Sequence, residues 1–100
     1  MNQQKMTSEE LLELTENHIR NLPNQYHITD YGEFKPNESN RKLIFVTVSS
    51  KLKIGPQVSF PGITMVMPSN SSKNMAIQQI SSGVKELWSY FKLRTYSYKD

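Results

Sequence analysis

The sequence predicts an α+β domain of order α-β-β-β(β)-α, an antiparallel sheet of three or four strands with two helices packed on one face. Three observations carry that prediction. A segment near each end repeats its apolar residues at helical spacing, the stretch between them is rich in β-branched and aromatic residues, and Pro-Gly punctuation cuts that stretch into strand lengths. Two amphipathic helices each need a surface to cover, and one sheet supplies it. The 100 residues suit a single small domain, with 1–6 and 94–100 as flexible ends.

The first helix begins at Thr7, which with Glu10 forms a capping box, while Met6 and Leu11 occupy the positions of a hydrophobic staple. Leu11, Leu12, Leu14, Thr15, His18, Ile19 and Leu22 share one face, opposite Glu9, Glu13, Glu16, Asn17 and Arg20. Pro23 forces a stop near Asn21. Residues 25–34 follow as a strand containing Tyr26, Ile28, Thr29, Tyr31 and Phe34, with Gly32 marking a bulge or an early end.

After the polar turn at 35–40, residues 41–54 give the strongest strand signal. Leu43, Phe45 and Thr47 alternate with Ile44, Val46 and Val48, so both faces of the strand are apolar at its middle. The larger set, continued by Leu52 and Ile54, is expected to face the helices. Gly55-Pro56 ends the run, and Val58 and Phe60 pair with Ile63, Met65 and Met67 in a hairpin around Pro61-Gly62. A second helix spans 73–93 behind serine caps, its apolar face formed by Ala76, Ile77, Ile80, Val84, Leu87, Trp88 and Phe91. Gly83 weakens it by roughly 1 kcal/mol relative to alanine, which a close backbone approach would explain. In the tail, Arg94, Tyr96 and Tyr98 alternate with Thr95 and Ser97 as a short edge strand does.

The chain has no cysteine, which excludes disulfides, thiol catalysis and cysteine-ligated metals. His18 has no metal-ligand partner at helical spacing, His27 and Asp30 fall on opposite faces of a predicted strand, no serine stands in a nucleophile elbow, and no Gly-rich phosphate loop occurs. The glutamates of the first helix are explained by its cap and its solvent face. The expectation is a non-enzymatic protein with neither cofactor nor metal. No transmembrane-length run or signal peptide is visible, so a cytoplasmic location is expected. Nine lysines against three arginines, eight asparagines and a single alanine match AT-rich codon usage, as in low-GC bacteria and their phages.

Charge is uneven. Residues 1–33 carry two basic against six acidic groups, or −4, and residues 34–100 carry ten against three, or +7. Arg41, Lys42, Lys51, Lys53, Lys73, Lys92 and Arg94 are the candidate contacts to a nucleic acid. Lysines that protect strand edges and keep a surface soluble account for the same residues. With Tyr26, Gly32, Phe45, Leu11-Leu12…Glu13 and a Ser72-Lys73…Ala76 helix start, the element order resembles that of double-stranded RNA-binding domains. What the resemblance implies is RNA binding. The chain departs from that pattern in having one lysine, Lys73, at the second helix start. Ile77, Ile80 and Val84 replace an alanine-rich face, and Gly55-Pro56 and Pro61-Gly62 lengthen the middle.

The favoured expectation is an accessory or regulatory protein, phage or mobile-element encoded, that works by contact with a protein partner or by self-association. If Ile44, Val46 and Val48 face the helices, Leu43 and Phe45 face away. Apolar residues there imply a cover: the tail around Tyr96 and Tyr98, another subunit or a partner, with Lys51 and Lys53 at the rim.

Overall fold

A computed structural model describes residues 6–22, 26–37, 40–50 and 62–99, the last ten of these by backbone alone. The element order is α1 (Ser8–Arg20), β1 (Tyr26–Phe34), β2 (Leu43–Ser50), β3 (Gly62–Pro68) and α2 (Lys73–Lys99). The strands form one antiparallel meander, β1-β2-β3, with both helices packed on it.

The start of α1 follows from its first turn. The Glu10 N–H donates to Thr7 Oγ1 at 3.1 Å, and the Thr7 N–H donates back to Glu10 Oε1 at 3.0 Å, a complete capping box. Met6 and Leu11 are both buried in the core. Met6 is anchored rather than free, because its N–H donates to the Ser69 carbonyl at 2.6 Å. Ser69 in turn donates its N–H to the Lys42 carbonyl at 3.0 Å, so the starts of α1 and β2 and the end of β3 meet in one place.

Burial shows which face of the sheet the helices cover. Ile44, Val46 and Val48 are fully buried in one cluster with Leu11 of α1, Met65 and Met67 of β3, and Ala76, Ile80, Val84 and Leu87 of α2. Thr15 is fully buried too, its hydroxyl donating to the Leu11 carbonyl at 2.7 Å. α1 lies over β1 and β2, and α2 lies over β3 and touches α1. At Gly83 α2 comes close against the sheet: a Cβ there would stand 2.5 Å from Met65 Sδ.

Several expectations are corrected. The bulge of β1 falls between Ile28 and Asp30, and Gly32 pairs regularly with Phe45. Residues 94–99 continue α2 instead of forming an edge strand. No glycine or proline follows Gly83, so nothing in the chain stops the helix, and the two-residue alternation of the tail does not override it. The apolar face of α2 is narrower than its periodicity suggests, since Ile77 and Trp88 are 40% and 44% exposed. The continuation of β2 past Ser50 and the Val58–Phe60 arm of the hairpin lie outside the described residues. No described helix is long and apolar enough to cross a membrane.

Candidate functional site

On the face of the sheet away from the helices, strand register gathers side chains into rows. Gly32, Phe45 and Val66 form one row across the three strands, and Phe34, Leu43 and Pro68 form the next. The row beyond Phe45 is polar, with Asp30, Thr47 and Thr64, and the Thr47 and Thr64 hydroxyls hydrogen-bond at 2.8 Å. This face is therefore apolar at one end and hydroxyl-lined toward the other.

The apolar end has a defined shape. The Phe34 and Phe45 rings lie 6.0 Å apart, tilted at 59°, within the range of favourable aromatic pairs. Gly32 leaves room for the Phe45 ring, because a Cβ there would stand 3.3 Å from Phe45 Cε1. Phe34 and Val66 are 43% and 47% exposed, whereas Leu43 and Phe45 are half-buried. No described side chain of either helix lies over the strip, since those helices pack on the opposite face. Tyr96 and Tyr98, expected as its cover, fall on the backbone-only part of α2.

A second apolar surface lies between the helices. Two adjoining depressions of about 420 Å³ each share His18 and Leu22. One adds Leu14, Ile77 and Ile80, and the other adds Tyr26, Val84 and Trp88. Besides His18 and Tyr26, the polar residues lining them are Asn17, Asn21, Ser81 and Lys85, so among the described residues no carboxylate lines either depression with His18. His27 lies on β1 opposite Ser49, with its buried Nδ1 unpartnered among the described residues. No group of three or more metal-ligating side chains occurs among the described residues.

The candidate cations divide. Arg41 and Lys42 are exposed just before β2, and Lys73 is exposed at the first position of α2, at the same end of the sheet. Lys42 pairs with Glu33 at 3.5 Å. Lys92 and Arg94 are helical and described by backbone alone, while Lys51 and Lys53 lie outside the described residues. Sequence reasoning identified Leu43 and Phe45 but missed Phe34 and Val66, which join the strip through strand register. It also assigned Ile77 and Trp88 to the core, where the gap between the helices leaves them open. No protein-family model matches the chain, and neither a curated protein nor a solved structure matches it.

Proposed function

We propose that this chain is a small, non-enzymatic cytoplasmic protein that acts by protein–protein contact through the strip formed by Phe34, Leu43, Phe45 and Val66. The observation that supports it is an apolar, aromatic strip on a sheet face whose opposite side already carries the core. A face left to water ordinarily carries polar residues at such positions, as the neighbouring Thr47–Thr64 row does. Interface cores are enriched in aromatic side chains and poor in charge, and the strip has that composition.

RNA or DNA binding is the second reading, favoured by Arg41, Lys42 and Lys73 standing at one end of the sheet. Among the described residues the cations at that end number three, one of them paired with Glu33, against the six to ten phosphate contacts that give a complex its strong salt dependence. The test is affinity capture from the source cell with and without nuclease, using wild type and Phe45→Ser. A protein partner retained after nuclease and lost in Phe45→Ser is the expected result. Capture abolished by nuclease, or unchanged in Phe45→Ser, overturns the proposal.

A further inference from the structure

The two helices leave a trough between them because they cover different strands and differ in length. α1 lies over β1 and β2, and α2 lies over β3. Along the trough α1 advances from Leu14 to Leu22 as α2 advances from Ile77 to Trp88. α1 ends at Arg20, whereas α2 continues to Lys99. Trp88 therefore stands at the level where α1 stops, and it keeps 44% of its surface exposed. Ser81, Lys85 and Trp88 follow one another at i, i+4 and i+7 on the flank of α2 that faces α1.

The depression at the Trp88 end has the size and lining of a small-molecule site. Its volume of about 420 Å³ falls within the range of such sites and is nearly three times the ~150 Å³ that encloses benzene. A single side chain from a partner would leave most of it unfilled. Leu22, Val84 and the rings of Tyr26 and Trp88 give it apolar walls, and His18, Ser81 and Lys85 supply the polar groups. Lys85 is the charged residue among them, is exposed, and makes no ion pair among the described residues. The last carbonyls of α1 would repel an anion, but two of them are occupied: that of Asn17 accepts from the Asn21 side chain and that of Ile19 from the Asn21 and Leu22 N–H groups.

We infer that this depression binds a small aromatic carboxylate, its ring against Trp88, Tyr26 and Leu22 and its carboxylate beside Lys85. Burial of the ring supplies the affinity. The carboxylate meets Lys85 at the exposed rim, so neither charge is taken fully out of water, and their pairing selects the ligand more than it tightens it. The adjoining depression, walled by Leu14, Leu22, Ile77 and Ile80, has no charged residue in its lining and sets no such preference. Both lie on the helix side of the sheet, away from the Phe45 strip, so the inference stands apart from the protein-contact reading.

Titration of 2-naphthoate into the isotope-labelled full chain tests the inference, read by amide spectra and by the indole N–H of Trp88, the chain's one tryptophan. At the efficiency of drug-sized ligands, its roughly thirteen non-hydrogen atoms set a dissociation constant of about 1 mM. Saturable shifts are expected at Trp88 and around residues 18–22 and 81–85. Uncharged 2-naphthamide and cationic 2-naphthylmethylamine should bind about threefold more weakly, the size of an exposed ion pair. Lys85→Gln should weaken 2-naphthoate by the same factor and leave 2-naphthamide unchanged. Ser81→Phe, filling the depression from a half-buried place on its wall, should abolish binding of both. Absence of a saturable shift, shifts centred on the Phe34–Phe45 strip, or an amide or amine that binds as tightly as the carboxylate overturns the inference. So does undiminished binding to Ser81→Phe. Concentration-dependent shifts at Ile77 and Trp88 without probe would assign the trough to a second copy and overturn it as well. Should a variant not fold by circular dichroism, the comparison of carboxylate, amide and amine on the wild type decides.

Discussion

Gly83→Ala sets two effects against each other on α2. Alanine in place of glycine in a helix interior stabilises by about 1 kcal/mol. Here the added methyl would stand 2.5 Å from Met65 Sδ and 2.8 Å from its Cγ, about 1 Å inside ordinary contact. Moving Cγ as well as sulfur requires a new rotamer for a side chain that is 5% exposed in the core. Overpacking of that kind costs about 1–3 kcal/mol, so the net expectation is a loss of about 1 kcal/mol. For a domain of this size that lowers the melting temperature by roughly 4–8 °C. The decisive measurement is a double-mutant cycle by urea denaturation. Met65→Ala alone should lose about 2–5 kcal/mol. In that background the obstruction is gone, and Gly83→Ala should stabilise by about 1 kcal/mol, a reversal of sign. Equal effects of Gly83→Ala in both backgrounds would refute the reasoning that Met65 is what requires glycine.

Thr7→Ala removes one of the two hydrogen bonds of the capping box directly and should cost about 1 kcal/mol, read as a lower urea midpoint at unchanged slope. Thr15→Val should be neutral or stabilise by up to about 1 kcal/mol, because the Leu11 carbonyl keeps its helical N–H partner when the hydroxyl goes. A loss above that size would show the hydroxyl to have a further role. Phe45→Ser should keep the far-ultraviolet spectrum, since the ring packs outside the helix-covered core, while losing the partner.

How much was legible from sequence differs element by element. The start of α1 was readable because a capping box is local: Thr7 and Glu10 lie three residues apart and need no tertiary contact. The division of β2 into a helix side and an open side was readable because strand alternation assigns every second residue to one face, whichever partner strand is present. The bulge at Ile28/Asp30 was not, since no glycine marks it and it is visible only in the pairing with β2. The same limit hid Phe34 and Val66, which join Phe45 only once three strands are in register. Helical spacing placed Ile77 and Trp88 with the core because periodicity gives a direction, not the width of the surface that will fill it. The end of α2 was misjudged because the Thr-Tyr-Ser-Tyr alternation imitates a strand where nothing else interrupts the helix.

The junction at Ser69 has a kinetic consequence. The Met6 N–H reaches the carbonyl of a residue far along the chain, so docking α1 from the unfolded state closes a loop of about 60 residues. Once the β1-β2-β3 meander exists, its ladders shorten the path to the roughly 20 residues from Met6 to the start of β1, lowering the closure entropy cost by about 1 kcal/mol. The meander itself joins neighbours in sequence and closes only short loops. Assembly therefore runs against chain order: α1, which precedes the sheet in the chain, is among the last of these elements to find its place, and until Ser69 has been synthesised the acceptor for the Met6 amide does not exist.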